Sequence, residues 1–310
     1  MVAELVADDG LVLDIRNRIG SVEHYYHFLL GFLAPLALKL GERAERAGQR
    51  PVAVRSCGPF DGLLREIFGD QIRILPKHEH ARLLQDAKAG GSKISCETLR
   101  GFDNRRFYSL PAFRALRENL TGILSSELEQ ERAVLADFRS SPIKIAFIDR
   151  GNPDPFYSTA NAERSTSGNV RRSIENYSDC VDFLTSQGLP VRPYLLEGKS
   201  LAFQMVLFDS ADIIIAQHGA ALTNLIWASA KTAVIEIIPR DGEKERDHFR
   251  TLAKCLGQKY CAIYQDHSHS AVDPHVLYSR IMQIRRDREF QESTDVSVLA
   301  RLKRYFGILH

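Results

Sequence analysis

Apolar residues along this chain come in short unbroken runs, separated by stretches where they recur every three or four positions. In the first half the runs LVLDI, PVAVRS, QIRILP and SKISC predict strands. FDGLLREIFG predicts a helix with a glycine stop. LPAFRALRENLTGILSSELEQERAVLADF predicts helix to about Phe138, with a break near Thr121 and Gly122. The second half repeats the alternation more cleanly. IKIAFIDR, VRPYLLE, DIIIAQ, AVIEII and KYCAIYQD read as strands; RRSIENYSDCVDFLTSQG, SLAFQMVLFDS with Ser200 as cap, GAALTNLIWAS and DHFRTLAKCLG read as helices.

Strands without an outward polar face, alternating with helices, belong to parallel sheets covered on both sides. The fold class expected is therefore α/β, with two Rossmann-like α/β/α domains in series, facing one another across a cleft. The helical pattern stops and a fresh strand starts between Phe138 and Pro142. That places an N-terminal domain at 1–140, a second at 141–275, and a helical tail at 276–310, with a path back to the first domain left open.

The most apolar helix candidate is YYHFLLGFLAPLALKL. It is too short to span a bilayer and contains His27, Gly31 and Pro35, so it reads as a core helix, with a membrane-surface role as the lesser alternative. The 310 residues carry a formal charge of +2, and 44% are apolar; this balance argues against a nucleic-acid partner. Five cysteines without a CxxC argue against a disulfide framework and for a reducing compartment. The opening MVAELVADDG has neither the basic region nor the apolar core of a leader. A cytoplasmic location is expected, with the inner face of the plasma membrane as an alternative. No oligomer is read from the sequence.

Ligands of open α/β sheets bind at the C-terminal ends of strands. One such end is ADIIIAQHGAALTN. Gly219 would permit a tight turn and close approach of backbone to a ligand. The N–H groups from Ala220 onward, at a helix start, would favour a phosphate, and His218 could add a hydrogen bond. Alternatively, His218 bonds a neighbouring loop and Gly219 is a turn residue. Thr223 and Asn224 lie one turn on, within reach of a base or sugar hydroxyl. Neither GxGxxG nor GxxxxGK[ST] is present, which disfavours a nicotinamide enzyme and a kinase. Glu236 sits inside an apolar strand, where it needs a partner: ribose hydroxyls or a basic side chain. Arg150 ends a strand and could clamp a diphosphate, with Arg171 and Arg172 as helpers or as surface charges.

In the first domain EHYYH places Glu23, His24 and His27 together, with the two histidines on one helical face. Two histidines do not make a metal site, and no HExxH or cysteine cluster is present; no metal is expected. An imidazole could deprotonate a hydroxyl, with Glu23 orienting it or acting itself. Packing within the helix is the alternative. His78, His80, His267 and His269 read as exposed loop residues.

These stretches together resemble the DUF563 family, glycosyltransferase family 61. EHYYHFLLGFLAPL, IAFIDRG, NVRRSIEN, QHGAALTNLIWAS between SLAFQMVLFDSADIII and AVIEIIP, and DHFRTLAKCLGQKY are similar to its landmarks, in order, over residues 10–265. The resemblance implies a GT-B fold with an acceptor domain followed by a donor domain. It implies inverting, metal-independent transfer from a nucleotide-sugar, frequently UDP-linked, to a glycan or lipid-linked saccharide, as in capsule or other polysaccharide biosynthesis. On that reading His27, His24 or Glu23 is the base; His218, Gly219, Ala220, Arg150, Arg171 and Arg172 hold the diphosphate; Asn224 and Glu236 hold the ribose. Two departures stand out: Gly31 lies where an acidic residue often follows the first histidine, and Asp149 stands where serine is usual. An epimerase-like enzyme of the same shape and a non-catalytic sugar-binding module are the competing readings.

Overall fold

The computed structural model describes residues 10–17, 20–44, 50–90, 94–159, 162, 168–241 and 247–288. Two parallel sheets organise them. The first contains β1 (Leu11–Arg16), β2 (Val52–Arg55), β3 (Ile72–Leu75) and β4 (Ser95–Arg100), in the order β3-β2-β1-β4. The second contains β5 (Ile145–Ile148), β6 (Val191–Tyr194), β7 (Ile213–Gln217), β8 (Ala233–Pro239) and β9 (Lys259–Gln265), in the order β6-β5-β7-β8-β9. Both are Rossmann-like, and each has one place where the winding reverses: between β1 and β4, and between β5 and β7. The crevice beyond the strand ends opens at such reversals.

The helices of the first half are α1 (Tyr25–Phe28), α2 (Ala34–Ala44), α3 (Asp61–Phe68), α4 (Lys77–Lys88), α5 (Leu110–Ile123), α6 (Ser125–Val134) and α7 (Ala136–Arg139). The second half adds α8 (Gly168–Arg171), α9 (Tyr177–Ser186), α10 (Leu201–Ser210), α11 (His248–Cys255) and α12 (274–288). Ser200 caps α10 as expected: its Oγ accepts from Phe203 N at 2.9 Å. The breaks in the long helical stretch fall at Leu124 and Leu135, not at Gly122, which stays inside α5. α4 was not foreseen, and it turns His80 inward: the ring is buried and its Nε2 lies 3.1 Å from Leu13 O, so only His78 of that pair is exposed.

Between α1 and α2 the chain winds as a π-helix over Leu29–Leu33. Phe28, Leu29, Leu30, Phe32 and Leu33 are almost wholly buried, and each contributes about 1.5–3 kcal/mol by leaving water. The apolar stretch is thus a core element. Among the described residues no helix is long and apolar enough to cross a membrane.

One apolar core runs through both halves. Leu13, Phe28, Phe32 and Phe113 belong to the same contiguous cluster as Ile148, Ala216, Leu222, Trp227 and Phe249. The opposite face of the second sheet has its own cluster, to which α12 contributes Leu277, Ile281 and Ile284. To residue 288, therefore, the tail stays on the second sheet, and Arg288 donates to the carbonyls of Asp212 and Lys231. The expected crossing back would fall in 289–310, outside the described residues.

Candidate functional site

At the reversal of the second sheet, β5 leads into Asp149-Arg150 and β7 into His218. Arg150 donates Nε to Gly168 O (3.2 Å) and Nη1 to His218 O (3.4 Å). Arg172 donates Nη1 to the same His218 carbonyl at 3.3 Å. Burial lowers the Arg150 pKa, and Arg171 adds to this, while the Glu197 and Asp149 carboxylates oppose it. None of those carboxylates pairs with Arg150 directly among the described residues. A half-buried guanidinium whose bonds among the described residues go to carbonyls keeps its full positive charge uncompensated by a direct carboxylate partner. Burial first, and then Glu197, raises the Asp149 pKa.

Gly219 has extended backbone (φ 170, ψ 177), so it is not required for a tight turn. What it supplies is space: a Cβ there would lie 2.2 Å from Arg150 Nη1. The segment beyond it, Ala220–Trp227, is a 3-10 helix, not the α-helix expected. Side chains three apart eclipse in that winding. Asn224 exploits it: Nδ2 donates to Ala221 O at 3.1 Å, and Oδ1 accepts from Trp227 Nε1 at 3.0 Å.

Asn224 itself is fully buried and saturated. Its Oδ1 also accepts from Tyr25 Oη at 2.8 Å, and Nδ2 donates to Gln204 at 2.8 Å. It joins the two halves of the molecule where the sequence suggested a ribose contact. Glu236 is also placed differently from that reading. It is wholly buried in β8, with Oε1 2.5 Å from His218 Nδ1 and Oε2 accepting from the Tyr260 hydroxyl. Both oxygens are engaged and the side chain is wholly buried, so in this structure Glu236 holds His218. A carboxylate only accepts, so Nδ1 of His218 carries the hydrogen of this pair.

Arg171 ends α8 at the surface, and Arg172 lies in the bend after it. The helix expected from Arg171 starts only at Tyr177. Ser173 N and Glu175 N bond instead to Ser268 O (2.9 Å) and Ser270 O (3.3 Å), which holds this stretch out of the helix.

The first sheet presents a second histidine–carboxylate pair at its own reversal. His27, in α1, has Nδ1 2.6 Å from Oδ2 of Asp103, which follows β4. The Asp103 side chain is 1% exposed and that of His27 22%. A Cβ on Gly20 would stand 2.0 Å from His27 Nε2, so that position has no room for a side chain beside the ring. Glu23 and His24 do not join them. Glu23 is buried and ion-paired with Lys77 at the start of α4. His24 caps α1 from outside the helix, and its ring stacks on Tyr157 at 5.5 Å. Because His24 precedes the first helical residue, the two histidines diverge.

The two pairs meet through aromatic rings. Phe249 of α11 contacts His218 (5.4 Å between centroids) and Tyr26 (5.9 Å), and Tyr26 contacts His27 (5.1 Å). Tyr157, from the loop after β5, donates to the Glu23 carbonyl and holds that loop on the first half. The sequence reading missed Asp103, Tyr260 and Tyr157. For Asp103 the cause is definite: the fourth strand runs to Arg100, not to Cys96, so the acidic residue of FDNRR lies at a strand's ligand edge. Among the described residues no three His, Cys, Asp or Glu side chains converge as metal ligands.

Comparison with known proteins converges on one chemistry. Over 101 residues the chain is 32% identical to a beta-1,2-xylosyltransferase of Arabidopsis thaliana, a stretch covering 33% of this chain but only 18% of the plant protein. Residues 25–235, which include α1 with His27, Arg150, the His218 corner and the first three residues of β8, ending just before Glu236, match the family Glycosyltransferase 61. That match spans more than half of the chain: the chain belongs to glycosyltransferase family 61.

Proposed function

We propose that this glycosyltransferase moves a sugar from a nucleoside-diphosphate donor, UDP-linked by expectation, to a hydroxyl of a glycan or lipid-linked saccharide, with inversion and without a metal, in polysaccharide biosynthesis. The observation that carries the donor side is the half-buried Arg150 guanidinium, lying over Gly219 and bonded, among the described residues, to backbone carbonyls at the sheet reversal. Arg150 and His218, the latter backed by Glu236, would meet the charge that develops on the leaving diphosphate. Fixed donors of this kind typically supply about 10²–10³-fold in rate.

On the acceptor side His27 is the base. Its Nε2 takes the hydroxyl proton while the acceptor oxygen bonds the anomeric carbon. The bond from that carbon to the diphosphate oxygen breaks, and its electron pair leaves with the nucleotide. Attack and departure on opposite faces invert the centre, in keeping with His27 in α1 beside the first sheet and His218 just after β7 of the second. The whole resembles a GT-B arrangement, although its continuous core leaves less room for a hinge than separate domains would.

The test is release of nucleoside diphosphate from UDP-sugars, UDP-xylose first, with and without glycan acceptors and in the presence of a chelator. Acceptor-dependent release that survives chelation is expected. His27→Ala should lower kcat by about 10²–10⁴-fold with little change in donor affinity; His218→Ala should weaken UDP binding. Release independent of acceptor, or turnover restored only by a divalent cation, would overturn the reading.

A further inference from the structure

We infer that Asp103 is the positioning residue of His27, and that Gly31 is free of a side chain in order to admit it. The inference rests on His27 being the base. The segment carrying Asp103 is pinned on three sides: Gly101 N donates to Arg16 O (2.8 Å), Phe102 N to Leu30 O (2.8 Å), and Tyr26 Oη to Asp103 O (3.0 Å). These bonds tie it to β1, to the π-wound turn and to the residue beside His27. Its carboxylate is thereby carried under the helix to 2.6 Å from Nδ1.

A carboxylate shut away from water is expensive, and pairing it with an imidazole N–H offsets that cost. The pairing fixes the ring in one orientation and one tautomer: Nδ1 holds hydrogen, and Nε2 keeps its lone pair for the acceptor proton. The space for this is made by the helix itself. A Cβ on Gly31, four residues after His27, would lie 3.0 Å from Asp103 Cγ and 3.2 Å from Oδ2. It would also lie 2.9 Å from Asn17 Cβ, while a Cβ on Gly101 would meet Gly31 O at 2.5 Å. Helix and loop are in backbone contact here, and the gap on the helix is filled by the loop's carboxylate.

The geometry gives an exchange experiment. Asp103→Ala should lower kcat about 10–10²-fold, part of what a general base contributes, with donor KM unchanged. In that background Gly31→Asp returns a carboxylate from the helix to the vacated space and should recover part of the lost activity, the Asn17 side chain having to give way by a few tenths of an ångström. Gly31→Asp with Asp103 present sets two carboxylates in one space and should be inactive. In His27→Ala, Asp103→Ala should add no further loss, because groups that act as a unit are not additive. Should Asp103→Ala fail to fold, Asp103→Asn keeps the shape and carries the same expectation for kcat, with folding checked by thermal melting. If His27→Ala is inactive while Asp103→Ala and Asp103→Asn stay within about twofold of wild type, the positioning role is wrong and the base stands. If His27→Ala is active, the base itself is wrong. Losses that multiply in the double variant would also overturn the inference.

Discussion

Glu236 stands 2.5 Å from His218 Nδ1 in the middle of β8, and the Tyr260 hydroxyl occupies its other oxygen. A wholly buried carboxylate between an imidazole and a phenol is tolerable only while both donors remain. Burial, followed by the Glu236 charge, drives the Tyr260 pKa far above its usual value, which keeps that phenol a donor. Glu236→Ala should therefore destabilise the fold by about 3–5 kcal/mol, the usual cost of breaking a buried pair. Glu236→Gln keeps the shape and loses the charge. It should lower UDP affinity by about tenfold, as a charged hydrogen bond exceeds a neutral one by roughly 1–1.5 kcal/mol. Calorimetric titration of both variants with UDP checks this; an unchanged affinity in Glu236→Gln would confine Glu236 to a structural role.

Gly219 and Arg150 give a separable prediction. The backbone at 219 suits alanine, so Gly219→Ala carries no conformational strain. Its methyl group nevertheless occupies the place of Arg150 Nη1, and the flexible guanidinium must yield. Stability should fall by no more than about 1–2 kcal/mol, for the bonds from Arg150 to carbonyls. UDP binding should fall as far as in Arg150→Ala, and Arg150→Lys should not preserve it, since a point charge cannot reproduce the fork. Near-wild-type binding by Gly219→Ala would remove Arg150 from the donor seat.

The strand and helix alternation was legible because buried parallel strands are apolar throughout, and both sheets appear where the runs predicted them. The place of His218 at a strand's C-terminal end was legible, and the structure sets it at the reversal of the second sheet, with His27 at that of the first. What could not be read was who faces whom. Asp103 meets His27 across 76 residues, and Tyr25 meets Asn224 across 199. Spacing along the chain contains no trace of either contact. Glu236 was seen to need a partner, but a histidine from the neighbouring strand satisfies the same requirement as a ribose. The α-helix expected after Gly219 became a 3-10 helix because bonds from the Asn224 side chain to Ala221 and Trp227 favour residues three apart.

The Tyr25–Asn224 bond belongs to a core shared by both sheets, so the two halves should unfold together. Urea denaturation followed by fluorescence of the single tryptophan, Trp227, and by circular dichroism should give coincident transitions. Tyr25→Phe removes one neutral hydrogen bond and should cost about 0.5–1.5 kcal/mol. Asn224→Ala strips partners from Tyr25, Trp227 and Gln204 at once, and at about 1–3 kcal/mol for each buried group it should cost several times more. Two separated transitions, or an Asn224→Ala variant that loses donor binding at full stability, would contradict this placement.

His80 makes the stability of the first sheet depend on pH. Burial lowers its pKa from 6.5, and its bond to the Leu13 carbonyl recovers only part of that shift. Above pH 6.5 the ring is neutral in folded and unfolded chains alike, and the full stability is present. As pH falls below that value, the unfolded chain takes up the proton first, so stability declines until the lowered folded pKa is reached. His80→Gln can still donate an amide N–H to Leu13 O and has nothing to titrate. Its stability curve, measured by urea midpoints at successive pH values, should be flatter than that of wild type in the window below pH 6.5. The comparison isolates His80 from the other histidines, whose contributions are common to both proteins. Parallel curves for the two would show that the buried ring takes up its proton as readily as an exposed one, and that β1 does not depend on its neutrality.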